Sequence, residues 1–463
     1  MTKKYDDETI CAIATPIGEG GISVIRVSGT QAFDVIQQVF RSKPKKDLKK
    51  EPSHTIHYGV VTDPVTSHQV DEVLVSTFKA PRSYTGEDVI EMSCHGGLAT
   101  TRNVLKLISN AGARLAEPGE FTKRAFLNGK MDLAQAEAVL DVIRAKTDLS
   151  LQAAMQNLRG SLSASAKKIK DIVLKCTAHI EAYIDFPESD LEAYTTGEIQ
   201  ENLKLALQLI DHLVESFNQG ALLREGVLLV VVGQPNVGKS SLLNAFLERD
   251  RAIVSDIPGT TRDTIEEIID LKGIPVRLVD TAGVTTSIDL VEQMGVERTK
   301  QYIAEGDLFL WLLDGSRSLD AKDKEVLKLL STEKVVIAIN KSDLPQKLQE
   351  AEVRSLVEER PLLHISSKTR EGMSELEIVL AEEIWSSVKE KPNVVVSKQR
   401  HVDALRQASK YLKSVQQGMV EKRSLELISV DLNEVLGALG ELVGEIYSED
   451  LLDVIFSEFC IGK

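Results

Sequence analysis

Residues 226–241 read GVLLVVVGQPNVGKSS. An apolar run stops at Gly233 and passes into a loop spelled G-x-x-x-x-G-K-[ST], with Gly238, Lys239 and Ser240 in its later places. The run predicts a buried strand, and the loop predicts the opening of a helix. The spelling has a chemical reason. Glycines let the backbone N–H groups of Asn236, Val237 and Gly238 curl around polyphosphate oxygens, and the helix N-terminus adds partial positive charge. Lys239 then reaches the β- and γ-phosphates, Ser240 ligates Mg²⁺, and Ser241 carries the loop into the helix.

The residues further along agree with that start. PVRLVDTAG, LFLWLLD and KVVIAIN are further strands separated by helical stretches, which predicts a mostly parallel sheet wrapped by helices over 223–384. Asp280-Thr281-Ala282-Gly283 ends one strand, with a carboxylate for the metal's outer shell and a glycine N–H for the γ-phosphate. Asn340-Lys341-Ser342-Asp343 ends another, and the Asp343 carboxylate can accept both the ring N–H and the exocyclic amine of guanine. Sites built to pair a specific group reject the analogue lacking it by as much as ~10⁴–10⁵. Ser366, Ser367 and Lys368 form a final base-contacting loop. DIPGTTRD at 256–263 supplies Thr260 and Thr261, one of which can bind Mg²⁺ as a switch residue. In this order, after a phosphate loop, the motifs specify GTP. One place departs from Ras-type spelling: the water-orienting Gln after D-x-x-G is Val284 here. Asp289 and Glu292 are the downstream candidates for that work, and Arg262 is a candidate for the charge of an arginine finger.

The flanking sequence is of two kinds. Residues 1–120 alternate strand-like runs, such as ISVIRVSG at 22–29 and VLVSTF at 73–78, with turns; RSKPKKDLKKEP at 41–52 reads as an exposed basic loop. From 121 to 222 the period becomes helical: Leu133, Ala136, Val139, Leu140 and Ile143 share one face, as do Ile199, Leu203, Ala206, Ile210 and Leu213. Val402, Leu405, Leu412 and Val415 resume it after 396. Each stretch is short of a core, so the two predict one helical domain interrupted by the phosphate-loop domain. Gly437-Ala438-Leu439-Gly440 spells the G-x-x-G of an RNA-binding KH loop, although inside an apolar run.

With 463 residues, 27% of them charged, the chain is a multidomain globular protein. Its net charge of −15 argues against a broad phosphate-binding face; residues 223–384 carry −9 of it. Four cysteines without a C-x-x-C pair suggest a reducing compartment with neither disulfide frame nor zinc site. No apolar span or signal peptide is visible, so the expectation is a cytoplasmic protein without a membrane partner.

Beyond the nucleotide motifs, the sequence carries ATPIGEGGISVIRVSG at 14–29, YTGEDVIEMSCHGG at 84–97, PGEFTKRAFLNGKMDLAQAEA at 118–138 and a terminal FCIGK at 459–463. Through these, over essentially its whole length, it resembles the MnmE (TrmE) family of bacterial tRNA-modification GTPases. The resemblance implies four segments: an N-terminal folate-binding and dimerisation domain of α+β type at 1–120, helical parts at 121–222 and 385–463, and an inserted Ras-like α/β P-loop GTPase domain at 223–384. It implies G domains that dimerise across the nucleotide with K⁺ in place of an arginine finger. The K⁺ contacts would be Asn236, Ser255, Ile257 and Thr260, with Ser at 255 where Thr is common in the family. Mg²⁺ would take Ser240 and Thr261, Glu292 would orient the water, and Asp256, Pro258 and Gly259 would complete the nucleotide-binding switch loop. With Glu292, the implied catalytic residues are Lys239 and Asn236.

The N-terminal resemblance, to domains of the glycine-cleavage aminomethyltransferase type, places a tetrahydrofolate derivative (5-formyl or 5,10-methylene) on Arg26, Glu87, Lys130 and Lys463. From the residues alone Arg26 reads as an edge-strand surface residue and Cys460 as a buried small hydrophobe; the family context invites a redox or nucleophilic role for Cys460. The implied activity is GTP hydrolysis coupled to modification at C5 of wobble uridine 34 in certain tRNAs. The implied assembly is a homodimer joined to the flavoprotein MnmG as a heterotetramer or larger, which alone would bring FAD. An Era-type ribosome-assembly GTPase is the alternative, and a folate-storing scaffold with a decayed GTPase is opposed by the intact motifs.

Overall fold

Strand-forming residues dominate the N-terminal stretch, and there the chain makes a seven-stranded sheet. Its elements are β1 (Ile10–Ile13), β2 (Gly20–Ser28), α1 (Ala32–Val39), β3 (Phe40–Ser42), β4 (Thr55–Thr62), β5 (Gln69–Phe78), β6 (Val89–Gly96), α2 (Leu98–Asn110) and β7 (Arg114–Leu115). The spatial order is β3-β4-β5-β6-β2-β1-β7, antiparallel throughout except where β7 runs parallel to β1. Along β5 the alternate residues Val73, Val75 and Thr77 are buried, the period of a sheet with one covered face. That face, with Ile25, Val27, Ile90 and Met92, packs against Phe33 and Ile36 of α1 and Val104 and Ile108 of α2. The basic 41–52 stretch is mostly exposed, as expected, but Arg41 and Ser42 belong to β3 and Leu48 is fully buried, pinning the loop.

The computed structural model describes residues 8–185, 192–250, 267–280, 305–330, 334–357, 359–386 and 394–463. They fall into two compact units: residues 1–140 with 440–463, and residues 141–439. In the first unit α3 (Glu120–Leu127) and the start of α4 (Leu133–Arg144) follow the sheet, and Phe126, Leu133, Ala136 and Leu140 pack with Leu452, Phe456 and Phe459 of the C-terminal segment. The predicted stripe on α4 holds through Leu140 but fails at Ile143, 44% exposed, where the helix is about to end.

The second unit begins with α5 (Asp148–Leu158), α6 (Ser161–Asp185), α7 (Glu192–Glu215) and α8 (Phe217–Glu225). The nucleotide-type domain follows as β8 (Val227–Val232), α9 (Lys239–Asp250), β9 (Glu267–Leu271), β10 (Ile274–Asp280), β11 (Leu308–Asp314), α10 (Ala321–Leu329), β12 (Val335–Asn340), α11 (Glu350–Val357), β13 (Leu362–His364) and α12 (Met373–Trp385). Then α13 (Gln399–Val420) and α14 (Leu425–Val443) return. The sheet order is β13-β12-β11-β8-β10-β9, parallel except for the β9–β10 pair. Every residue of β8, β11 and β12 is buried, because both faces of this sheet are covered. The five stripe residues of α7 and the four of α13 are all buried, and these two helices pack together, one from each side of the insert. Gly437–Gly440 lies inside α14 with Ala438 and Leu439 buried, so the G-x-x-G there is a helix turn and forms no KH loop. Among the described residues no helix is long and apolar enough to cross a membrane.

Candidate functional site

The parallel strands β8, β11 and β12 end together, and the loops that leave them make one cluster, as expected at the carboxyl edge of an α/β sheet. Lys239 is the first residue of α9 and is 6% exposed; its Nζ donates to the carbonyls of Gly233 at 2.7 Å and Gln234 at 2.9 Å. Gly238 has φ 104° and lies so close to the Asn340 amide that a Cβ would collide with it. Asn236 and Lys341 are both left-handed, each with φ 66°, a conformation non-glycine residues adopt only under local constraint. The constraint is visible. Lys341 Nζ donates to the Asn236 carbonyl at 2.9 Å, and Asn340 Nδ2 donates to the Val237 carbonyl at 2.8 Å.

The base loop is built with equal economy. The buried Asn340 Oδ1 accepts from both the N–H and the hydroxyl of Ser367 at 3.0 Å, and Ser342 N–H bonds the Ile365 carbonyl at 3.0 Å. Ser366, fully buried, donates its hydroxyl to Asp343 Oδ1 at 2.7 Å, which fixes that carboxylate's orientation. Thus the structure brings Asn236, Val237, Gly238, Lys239, Asn340, Lys341, Ser342, Asp343, Ser366 and Ser367 into one cluster. Ser240 and Ser241 stand exposed on the first turn of α9 and Lys368 follows Ser367. Ser255, Asp256, Ile257, Pro258, Gly259, Thr260, Thr261, Thr281, Ala282, Gly283, Val284, Asp289, Glu292 and Arg262 lie outside the described residues; of Asp280 only the backbone, at the end of β10, is described.

Sequence reasoning missed Asp314 here. Its Oδ2 accepts from Lys341 Nζ at 2.6 Å and its Oδ1 from the Ser316 hydroxyl at 2.6 Å. Burial pushes this carboxyl up, but the bonds from Lys341 and Ser316 outweigh it and hold the group below its ordinary value. The available signal was a strand of apolar residues ending on an acid, LFLWLLD.

In the first unit a second cluster forms around the loop between β5 and β6. Arg26 is no edge residue: β2 lies between β6 and β1, and the side chain is only 14% exposed. Its guanidinium pairs with Glu91 at 2.8 Å, lies over the rings of Tyr84 and Phe121, and donates to the Gly462 carbonyl at 3.3 Å. That last bond joins the C-terminal tail to the sheet; Phe121 N–H also bonds the Lys463 carbonyl at 3.2 Å. Burial, and then the nearby Arg26 charge, push the Lys463 ammonium below its ordinary value, with Glu91 pulling the other way. Glu87 accepts from the Ser28 hydroxyl at 2.7 Å and from Arg124 at 3.2 Å. The Lys130 stem passes Gly86 and its ammonium reaches the Pro81 carbonyl at 3.0 Å. Of the four residues expected from sequence, Arg26, Glu87 and Lys130 meet this loop through Tyr84, Glu87 itself and Pro81, while Lys463 lies near Arg26 and Glu91. Cys460, expected to be buried, is exposed: the tail is held by its backbone and flanking side chains, which turn this thiol outward.

The sequence of the whole chain can be set against known proteins. The MnmE helical-domain family matches residues 133–460, and the family described as the N-terminus of the GTP-binding protein TrmE matches residues 9–130. The tRNA modification GTPase MnmE of Thermoanaerobacter pseudethanolicus is 45% identical over 98% of this chain and 99% of its own length. That of Lactiplantibacillus plantarum is 46% identical over 100% of both chains. The chain belongs to the MnmE family. Among solved structures, the G domain of the T. maritima FeoB iron transporter matches 35% of this chain and 99% of that one, at 27% identity and a TM-score of 0.27.

Within this MnmE-family chain the fold-class expectation holds: a TrmE-type N-terminal domain, a helical domain and a P-loop domain between the helical parts. Arg124 is the second residue that sequence reasoning passed over, although it sits in the quoted KRAF motif. It is 3% exposed and bonds both Glu87 and Glu120, and Glu120 in turn pairs with Arg114 at 2.7 Å. Burial pushes the Glu120 carboxyl up, but bonds from Arg114, the Glu117 amide and Arg124 outweigh it, so it sits below its ordinary value and stays charged.

Proposed function

We propose that this chain is a GTP hydrolase that, with the flavoprotein MnmG, forms the 5-carboxymethylaminomethyl or aminomethyl group of wobble uridine 34 in certain tRNAs. The observation that carries the reading is the interlock of base loop and phosphate loop. Asn340 and Lys341 bond the backbone of Val237 and Asn236, while Ser366 orients the Asp343 carboxylate. One carboxylate offered to two adjacent N–H groups suits guanine, and adenine lacks that pair.

The residues fit a metal-bound nucleotide. Gly238 presents bare backbone where any Cβ would strike Asn340, and Lys239 supplies a buried cation at the helix start. Ser240 and Thr261 would hold Mg²⁺, and Asn236, Ser255, Ile257 and Thr260 would hold K⁺ between the G domains of a homodimer. These ions supply charge neutralisation of the phosphates when bound. Lys239 adds its own charge, and the backbone of residues 236–241 and of 281–283 positions the phosphates. Glu292 orients the attacking water where Val284 cannot, and hydrolysis serves as a conformational clock for the modification chemistry.

Arg26, Glu87, Lys130 and Lys463 would hold the tetrahydrofolate derivative, which supplies a one-carbon unit. Two neighbouring cations, Arg26 and Lys463, suit an anionic group, and the oriented Glu87 carboxylate suits the N–H groups of a pterin ring. FAD would enter only with MnmG, and the setting is the cytoplasm. The four-segment division at 120, 222 and 384 puts GTP on the third segment, and folate on the first with Lys130 and Lys463 reaching in from the second and fourth.

Two measurements test this. Nucleoside mass spectrometry of tRNA from cells lacking the chain is expected to show loss of the wobble modification, and an unchanged spectrum ends the tRNA reading whatever the GTPase does. GTP turnover at fixed ionic strength is expected to be faster in K⁺ than in Na⁺. Equal rates remove the potassium assignment through Asn236.

A further inference from the structure

The C-terminal ends of β11 and β12 stand level, because the parallel register pairs Asp314 with Asn340. One residue later the chain turns left-handed at Lys341 and carries its side chain back over the sheet edge. There the ammonium meets two oxygens, Asp314 Oδ2 at 2.6 Å and the Asn236 carbonyl at 2.9 Å. The carboxylate is itself held. Its other oxygen takes the Ser316 N–H at 2.9 Å and the Ser316 hydroxyl at 2.6 Å, and its side chain is 10% exposed. Between them, Gly315 donates to the Asn340 carbonyl at 2.9 Å and is packed so closely on the Gln346 amide that a Cβ would collide. Gln346 in turn donates to the Lys341 carbonyl at 2.9 Å. Both ends of the ion pair are thus fixed to neighbouring backbone.

We propose that Asp314 is a positioning residue for the guanine-nucleotide site, holding Lys341 across the seam between base loop and phosphate loop and so fixing the backbone at Asn236. It deepens the guanine-site reading above and rests on it. Among the described residues Asp314 acts on the phosphate loop through Lys341, whose ammonium reaches the Asn236 carbonyl. Asn236 is left-handed, so the bond from Lys341 sustains a backbone conformation that the residue adopts rarely on its own. Removing the carboxylate leaves a half-buried ammonium unpaired, and the cost falls on the seam that both loops share.

The test is a double-mutant cycle in the full chain, read by the affinity of N-methylanthraniloyl-GDP and by thermal melting. Asp314→Asn is expected to weaken binding by about tenfold when Lys341 is present and by less than about twofold in a Lys341→Met background. Effects that simply add overturn the positioning role, since a carboxylate that only supports the fold acts whether or not Lys341 is there. If Asp314→Asn fails to fold, Ser316→Ala replaces it in the cycle. That variant keeps the charge, loosens the carboxylate, and is expected to weaken binding only in the presence of Lys341; independence from Lys341 again overturns the proposal. Native chain that does not bind the fluorescent GDP overturns the guanine-site reading itself, an outcome distinct from an additive cycle on chain that binds.

Discussion

Cys460 and Cys11 carry the same thiol in opposite surroundings. Cys460 is exposed, whereas Cys11 is buried and its thiol is pushed up to about 11, mainly by burial. Cys176 is likewise pushed up to about 11 by burial, and burial raises Cys94. A thiol held above its ordinary value is protonated at pH 8, and only the thiolate attacks a disulfide. Native chain at pH 8 is therefore expected to give one fast-reacting thiol with an aromatic disulfide reagent, a reaction lost in Cys460→Ser, and four after denaturation. Rapid labelling of Cys11, Cys94 or Cys176 in the folded chain contradicts this assignment. The sequence could not show the contrast, because side-chain type gives average burial and the tail's backbone bonds give the direction of Cys460. Arg26 teaches the same at the level of strand order. Its residue type argues for a surface, yet the crossing that lays β2 between β6 and β1 turns it inward onto Tyr84 and Phe121. By contrast the clustering of residues 236–239 with 340–343 and 366–367 follows motifs whose spelling sets both residue type and spacing.

Elements were legible where burial is complete. β8, β11 and β12 are continuous apolar runs because both faces are covered, and a run of that kind cannot be hidden in sequence. β9 and β13 were not foreseen. They are the two edges of the sheet, short and of mixed polarity, and they exist because a formed neighbour offers hydrogen bonds. The insertion itself depends on an equally local device. The start of α8, the end of α5 and the chain returning before α13 are clamped together: Ser216 Oγ accepts from Val396 N–H at 3.0 Å and Asn157 donates to the Val395 carbonyl at 3.0 Å. Gly220 completes the clamp, since a Cβ there would collide with the Val396 carbonyl and meet Val395 Cγ1 at 2.7 Å. Gly220→Ala is accordingly expected to destabilise the chain by about 1–3 kcal/mol, the cost of overpacking a filled site. A denaturant titration measures it, and a change below about 0.5 kcal/mol, the range of neutral surface substitutions, rejects the clamp.

At the scale of the whole molecule the charge of −15 is unevenly placed, with −9 in residues 223–384 and −6 in all the rest. A phosphate-loop domain tolerates that acidity because it meets phosphates with backbone N–H groups and a single sheltered lysine rather than with a basic face. The most basic stretch, 41–52, offers less to RNA than its composition suggests. Lys46 pairs with Glu51 at 2.9 Å, Lys49 with Asp34 at 2.6 Å, and Lys43 and Lys50 lie 3.8 Å from Glu72 and Asp47. Each such pair is weak at the surface, yet a phosphate must displace an acid already in place. The chain on its own is therefore expected to neutralise few tRNA phosphates. At about three contacts the logarithmic salt slope is roughly −2 to −3, so raising salt from 50 to 200 mM lowers affinity by roughly 16- to 64-fold. Fluorescence anisotropy with labelled tRNA over that range measures the slope. A fall of about 10³-fold or more corresponds to a broad cationic surface, whereas a shallow slope leaves this chain's contribution to a few local cations.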